Sequence, residues 1–148
     1  MPVSISPMTM ADLDEVLVIE NESFATPWSR ASFLYELLEN RRAVYLVAKE
    51  EGHVVGYIGM WAIFDEGHIT NLAVHPRYRR RGIATLLLQE LVHEAKRRGI
   101  AHLTLEVRRS NLGAQLLYTK HGFVTKGIRR GYYRDNDEDA LIMWKSPL

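Results

Sequence analysis

The 148-residue chain contains no cysteine. Disulfides, thiolate metal sites and a cysteine nucleophile are therefore excluded, and the absence fits a reducing compartment such as the cytoplasm. No apolar run reaches the roughly eighteen residues that a membrane-spanning helix needs. Residues 1–9 show no basic segment followed by an apolar core, so we expect no signal peptide. The formal net charge is only +1, which gives no bulk electrostatic reason to expect binding to nucleic acid or membrane.

Several short motifs are also missing. The chain has no G-x-x-x-x-G-K-[ST] phosphate loop and no G-x-G-x-x-G after a strand. His93-Glu94 begins like the H-E-x-x-H zinc motif, but Arg97 occupies the position of the second histidine. No other histidine pair has useful ligand spacing. We therefore expect no metal and treat all six histidines as structural or surface residues.

The composition is that of one globular domain over residues 1–148, with 47% apolar and 25% charged residues. Hydrophobic periodicity predicts strands at residues 3–6, 44–48, 54–64, 69–74, 101–107, 123–128 and 140–144. It predicts helices that begin near residues 9, 29, 82 and 111, with turns at 51–52 and 65–67 and a polar loop at 129–139. Thr9 with Asp12 resembles a capping box, and Ser29 can cap a second helix whose apolar stripe is Phe33, Leu34, Leu37 and Leu38. Lys96-Arg97-Arg98-Gly99 is a typical end for the third helix. This order predicts a mixed α/β domain.

A strand, a basic turn and a helix follow one another in the middle of the chain. Pro76 ends the strand, because proline cannot donate to a ladder. After Gly82 apolar residues recur at helical spacing: Ala84, Leu87, Leu88, Leu91 and Ala95. The first amides of a helix lack intrahelical partners and carry the positive end of its dipole, so they suit a phosphate. An ordinary turn with solvated arginines fits the same segment equally well.

Four segments in order carry a more specific pattern. The basic turn reads R-x-x-G-x-A. From Leu105 the chain reads L-E-V-R-R-S-N, followed at matching spacing by Ala114, Leu117-Tyr118 and Gly122-Phe123. From Arg129 it reads R-R-x-Y-Y-x-x-x-x-E-D-A-x-x-M, and Phe24 with Pro27-Trp28 stands near the start. Together these segments resemble the GNAT N-acetyltransferases over nearly the whole chain, and in particular the RimI-type branch. One departure is Ala84, where many members have a third loop glycine.

The resemblance implies the GNAT acyl-CoA N-acyltransferase fold, a central mixed sheet of about seven strands flanked by four helices. It implies acetyl-CoA as cosubstrate, and the residues that would bind it are Leu72, Ala73, Val74, Arg79, Arg80, Arg81, Gly82, Ile83, Ala84 and Asn111. RimI-type enzymes acetylate the N-terminal alanine of a small-subunit ribosomal protein. We therefore expect a protein or peptide N-terminus as the partner, with neither nucleic acid nor membrane. The oligomeric state is not readable from the sequence.

The resemblance also assigns two catalytic groups. An α-amino group has a pKa near 8, so a base must remove its proton at neutral pH. Glu106 occupies the position that the base has in the family pattern, so the resemblance implies that Glu106 is this base. A carboxylate with an ordinary pKa near 4.3 is a weak base, so it would act through positioning or a water unless its site raises the pKa. Tyr118 would protonate the leaving thiolate, whose ordinary pKa is near 8.5. Backbone amides of Leu72 to Val74 would form the oxyanion hole.

The acceptor would bind between two pairs of aromatic side chains, with Phe24 and Trp28 facing Tyr132 and Tyr133. Three other interpretations remain open at this point. The acceptor could be a lysine side chain or a small-molecule amine. The protein could be an acyl-CoA sensor without catalysis, although the presence of both Glu106 and Tyr118 disfavours this. A nucleotide-binding regulator is disfavoured by the missing phosphate-loop lysine.

Overall fold

The computed structural model describes residues 2–148, so Met1, the first residue of the predicted domain, lies outside the described residues. The seven strands are β1 (Ser4–Pro7), β2 (Ala43–Glu50), β3 (His53–Ile63), β4 (Glu66–Val74), β5 (His102–Arg108), β6 (Val124–Tyr133) and β7 (Glu138–Lys145). The four α-helices are α1 (Leu13–Ser23), α2 (Arg30–Leu38), α3 (Ile83–Arg97) and α4 (Leu112–Lys120). Short 3-10 turns at Met10–Asp12 and Pro76–Tyr78 precede α1 and follow β4. The predicted seven-stranded mixed sheet with four helices is confirmed.

The strands form one sheet in the order β1-β2-β3-β4-β5-β7-β6. Within the described residues, β4 and β5 form the one parallel pair, and it is short. Glu66, Gly67 and His68 pair with His102, Leu103 and Thr104. β4 also carries an extra residue, Thr70, between the positions that pair with Gly59 and Met60. A bulge of this kind bends its strand, and beyond the short paired segment β4 and β5 separate. The sheet therefore has a gap at its centre.

Both faces of the sheet are covered by helices. The side chains of β3 are divided between the two sides, with Val55 and Ile58 in one core cluster and Val54 and Tyr57 in the other. A register shift between β2 and β3 at this point interrupts the strict alternation. Helix α3 covers the first side through a stripe of buried residues: Ile83, Leu87, Leu88, Leu91 and Ala95. Helices α1 and α2 cover the second side through Leu13, Val16, Ile19 and Phe33. The central strands are therefore buried on both faces. This packing holds β4 and β5 in place on the two sides of the gap.

The predicted helix ends are largely confirmed. The carboxylate of Asp12 accepts from the Thr9 amide at 2.8 Å, as the capping box predicted. Ser29 Oγ accepts from the Ser32 amide at 3.1 Å and starts α2. Asn111 Oδ1 accepts from the Ala114 amide at 3.2 Å and starts α4. Helix α3 ends with basic residues and Gly99, which has a φ of 78°.

Three local predictions are wrong. The turn predicted at 65–67 lies at residues 64–65, so Glu66 and Gly67 already belong to β4. The polar loop predicted at 129–139 is mostly strand, because β6 continues to Tyr133 and leaves a turn of only four residues, 134–137. Leu38, predicted as part of the buried stripe of α2, is 61% exposed. In all three cases strand pairing or helix packing decides the outcome, and local sequence patterns do not report it.

Candidate functional site

A cleft of about 410 Å³ opens where β4 and β5 separate. Besides the two strands, it is lined by residues of α1, of the segment before α2, of α4 and of the end of β6. Eight of the residues predicted from the sequence line it: Phe24, Trp28, Leu72, Glu106, Asn111, Tyr118, Tyr132 and Tyr133. The fold thus brings together side chains that are far apart in the sequence.

The open edge of β4 supplies backbone donors to this cleft. The His75 amide donates to the Val55 carbonyl of β3 at 2.8 Å. Amides alternate between the two sides of a strand, so the Ala73 amide also faces β3, opposite Tyr57. The amides of Leu72 and Val74 face the gap instead. Of the three predicted amide donors, two are thus oriented towards the gap, and Ala73 is committed to the sheet.

Glu106 lies on β5 at the gap, and its side chain is 12% exposed. Its Oε2 is 2.6 Å from Nε2 of His68, and its Oε1 is 4.0 Å from a terminal nitrogen of Arg129. The His68 hydrogen bond lowers the pKa of Glu106 below its ordinary value, against the opposing effect of burial, and Arg129 adds to the lowering. The predicted base is therefore a well-ionised carboxylate rather than one tuned upwards.

His68 is the principal residue that the sequence reasoning missed, since all histidines were treated as structural or surface residues. It lines the cleft and packs edge-on against Trp61, with ring centres 6.0 Å apart. The signal lies in the strand register, which the structure shows and the local sequence does not. If β4 is extended back to Glu66, His68 pairs with Thr104, and Glu106 lies on the same face of β5 two residues further.

Tyr118 is 7% exposed, and its ring packs against Phe123 at 5.4 Å between centres. Tyr118 also lines the cleft. Burial raises the pKa of its hydroxyl, and Tyr133 adds to the effect. The phenol therefore stays protonated at any working pH and is available as a donor. Because α4 starts at the cleft with Asn111 as its cap, the helix fixes where Tyr118 points.

Trp28 is held by a second residue that the sequence reasoning did not single out. The backbone amide of Trp28 donates to Oε2 of Glu20 at 2.9 Å, and the hydroxyl of Tyr57 donates to Oε1 of the same carboxylate. Glu20 is 2% exposed and lines the cleft. The Trp28 ring packs on Phe33, with centres 5.4 Å apart. This wall of the cleft is therefore tied to the core by a buried carboxylate.

The opposite wall consists of Tyr132 and Tyr133, whose rings meet edge to face at 5.0 Å between centres. They lie at the end of β6 rather than in a loop. The Arg108 guanidinium stacks on the Tyr133 ring at 4.0 Å and bonds Asp135 at 3.0 and 3.1 Å and Glu138 at 3.2 Å. Burial raises the pKa of Tyr133 to about 12. Arg108 thus fastens the β6–β7 turn to β5 beside the cleft.

The basic turn lies outside the cleft, between β4 and α3. Arg80 and Gly82 both have positive φ, 65° and 78°, a conformation that glycine adopts without penalty. Gly82 offers no capping side chain to α3, so the amides of the first turn, from Ile83 and Ala84 onwards, are left for another partner. Arg79 Nε donates to the Val74 carbonyl at 3.2 Å. The turn therefore continues directly from the gap-facing edge of β4.

Arg81 is differently engaged from the other two arginines. It lies 3.6 Å from Oε2 of Glu50 and stacks on the Tyr78 ring at 5.0 Å. Its charge is therefore shared with a protein carboxylate.

Among residues 2–148 no group of three or more acidic or histidine side chains is arranged to hold a metal ion. Over the same residues no helix has the length and apolarity needed to cross a membrane.

Comparison with known proteins gives concordant results. The model of the acetyltransferase (GNAT) family matches residues 13–123. The chain is 37% identical to the [ribosomal protein bS18]-alanine N-acetyltransferase of Escherichia coli K12, over 95% of both chains. It is 47% identical to a Bacillus subtilis protein that is provisionally assigned the same activity, over 93% of this chain and 91% of that one. The crystal structure of the ribosomal-protein-S18-alanine N-acetyltransferase from Escherichia coli superposes with a TM-score of 0.90 at 35% identity, covering 99% of this chain and 94% of that one.

Proposed function

The chain belongs to the acetyltransferase (GNAT) family, and from this premise we propose that it transfers the acetyl group of acetyl-CoA to the N-terminal alanine of ribosomal protein bS18. The observation that carries the proposal is the cleft between β4 and β5. It gathers Glu106 and Tyr118 with the free edge of β4 between two aromatic walls. The curated relatives named above, at 47% and 37% identity, support the acceptor.

The amine enters as an ammonium ion and must lose a proton before its nitrogen can attack the thioester carbonyl. Glu106 accepts that proton, directly or through a water, and His68 holds the carboxylate in place at 2.6 Å. Because the pKa of Glu106 is lowered, the gain comes from positioning more than from intrinsic basicity. The site works best on amines whose own pKa is low, and an α-amine is lower by about 2.5 units than a lysine side chain.

Attack forms a nitrogen–carbon bond and places negative charge on the former carbonyl oxygen. The Leu72 amide, which faces the gap, donates to this oxyanion. The carbon–sulfur bond then breaks and leaves a thiolate. Tyr118 donates its hydroxyl hydrogen to that sulfur. Since burial raises the pKa of Tyr118 above that of a free phenol, it stabilises the thiolate first as a hydrogen-bond donor, and the proton follows as the thiolate becomes desolvated.

GNAT acetyltransferases take the acetyl group from acetyl-CoA, and the start of α3 fits its pyrophosphate. The first amides of α3 lack a side-chain cap and carry the positive end of the helix dipole. Arg79 and Arg80 add positive charge, and Gly82 leaves the backbone accessible, since a Cβ added there would meet no atom within 4 Å. Arg81 contributes less, because Glu50 already compensates it. Asn111 lines the cleft and completes this side.

The acceptor terminus lies between Phe24 with Trp28 on one side and Tyr132 with Tyr133 on the other. Both walls are held from behind, by Glu20 and by Arg108, so the groove is largely formed before binding. A narrow, preformed groove favours a small first residue such as alanine over a bulky one. We further propose that residues 1–148 act as a single domain and that the protein works in the cytoplasm, where its acceptor is made.

The test is acetylation of two matched peptides that differ only at the terminus. One begins with a free alanine and contains an internal lysine, and the other is N-terminally blocked. Mass spectrometry after incubation with acetyl-CoA should locate the acetyl group on the α-amine of the first peptide and find none on the second. Acetylation of the lysine in the blocked peptide would overturn the N-terminal specificity.

A further inference from the structure

A second, larger cavity of about 750 Å³ adjoins the catalytic cleft. It lies between α2 and the end of β3, and nothing in the mechanism above uses it. Trp28 and Trp61 line both spaces, so a chain whose terminus lies at Glu106 can leave the cleft across these two indoles. The cavity is thus continuous with the acceptor groove rather than with the acetyl-CoA side.

The polar group at the base of this cavity is already satisfied. Glu36 is 5% exposed. Its carboxylate accepts from Asn40 Nδ2 at 2.8 Å, from the Tyr45 hydroxyl at 3.1 Å and from the Trp61 indole nitrogen. Three donors leave little capacity for a ligand's charge. The surface that remains for a ligand is therefore the apolar and aromatic part of the lining, formed by Trp28, Trp61, Tyr35 and Ile63.

Large apolar side chains at the rim of the cavity are strongly exposed to solvent, which is unfavourable on a surface without a partner. Tyr35 is 59% exposed and Ile63 39% exposed, and the next residue, Phe64, is 94% exposed at the tip of the β3–β4 turn. Adjacent exposed apolar residues beside a concave site mark protein contacts more often than solvent-facing surface. Arg42, also in the lining, makes no ion pair within the described chain and can stack on an aromatic ring.

We propose that this cavity binds the acceptor polypeptide downstream of its amino terminus and receives a large apolar or aromatic side chain. The inference rests on the proposed function, because it assumes a polypeptide acceptor whose terminus lies in the catalytic cleft. A polypeptide is the occupant that the shared walls favour, since a chain whose terminus lies in the cleft can continue past Trp28 and Trp61 into the cavity. Recognition of this kind gives the enzyme specificity beyond the first residue at no cost to the catalytic geometry.

The test compares a tripeptide acceptor with a dodecapeptide that has the same first three residues. In the dodecapeptide series a single phenylalanine is moved along an otherwise serine-rich background. The wild-type KM should fall at one or two positions of the phenylalanine and should not differ elsewhere. In Tyr35→Ala and Ile63→Ser that advantage should be lost, with a rise in KM of about 5- to 20-fold for the best dodecapeptide. The KM values for the tripeptide and for acetyl-CoA should stay within about twofold of the wild type.

Leu116→Ala is the matched control, because Leu116 is 71% exposed on α4 and lines neither space; its KM values should equal those of the wild type. An unchanged dodecapeptide KM in both cavity variants would overturn the inference while leaving the proposed function intact. A change in sedimentation coefficient without a change in KM would assign the face to self-association, and it too would overturn the inference. Failure of the wild type to acetylate either peptide would instead refute the proposed function.

Discussion

Replacing His68 by alanine tests the electrostatic account of the site most directly. His68 donates to Glu106 at 2.6 Å, and this hydrogen bond is the largest influence that lowers the pKa of Glu106. Without it, Arg129 remains but the burial that opposes ionisation is less compensated, and the pKa of Glu106 rises. A hydrogen bond to a charged group contributes about 1.5–3 kcal/mol. His68 is 32% exposed, so we take the lower end, about 1.5 kcal/mol, which is roughly tenfold in the ionisation equilibrium of Glu106.

Two measurements follow the change. The acid limb of the pH profile of kcat/KM, where Glu106 becomes protonated, should move upwards by about one pH unit. Stability provides the second readout. A carboxylate whose pKa is depressed in the folded state adds stability above its unfolded pKa, near 4.3, and loses it as the pH falls through the folded value. The melting temperature of His68→Ala should therefore lie below that of the wild type at pH 7, and the difference should shrink in acid.

Two variants serve as controls. His68→Gln can keep an N–H donor to the carboxylate, so its acid limb should move less. His102→Ala removes a histidine of similar exposure, 34%, which bonds Ser146 outside the cleft, and its acid limb should not move. If His68→Ala binds acetyl-CoA normally yet keeps the wild-type acid limb and a melting-temperature difference that is constant with pH, our account of Glu106 is wrong.

Three other perturbations address the remaining parts of the site. Gly82→Asp should abolish the rise in melting temperature caused by acetyl-CoA. Gly82→Asn places a side chain at the same positive φ without adding a charge, so it should retain part of that rise. Equal loss in both variants would point to backbone strain instead of phosphate binding. Glu106→Gln and Tyr118→Phe should each lower kcat by about 10²–10⁴-fold with little change in acetyl-CoA affinity. Raising the pH should partly restore Glu106→Gln, because more of the amine is then unprotonated, and a full rate in either variant at pH 7 would remove that residue from the mechanism. Arg108→Met should raise the KM for the acceptor peptide, because Tyr133 and the β6–β7 turn lose their anchor. The KM for acetyl-CoA should stay unchanged. A raised KM for acetyl-CoA with an unchanged peptide KM would instead place Arg108 on the cofactor side.

Local signals in the sequence determined most elements and the positions of their ends. The caps formed by Ser29 and Asn111 involve only groups three residues away, so their effect does not depend on the rest of the fold. The apolar stripe of α3 repeats every three or four residues, and it identifies the buried face whatever lies against it. The motif around Glu106 and Tyr118 is likewise contiguous enough to be recognised, and all of the residues predicted for catalysis and for the acceptor line one cleft.

Only the tertiary structure decided the environment of those residues. The sequence around Glu66 reads as a turn, yet Glu66 pairs both with Ile63 of β3 and with His102 of β5, which lies more than thirty residues away. That extension places His68 against Glu106 and lowers the pKa of the carboxylate, which the sequence alone left undetermined. The anchoring of Trp28 by Glu20 and of Tyr133 by Arg108 likewise joins separate elements. Periodicity reports which face of an element is buried, whereas strand register and burial decide which charges meet, and those contacts set the chemistry of the cleft.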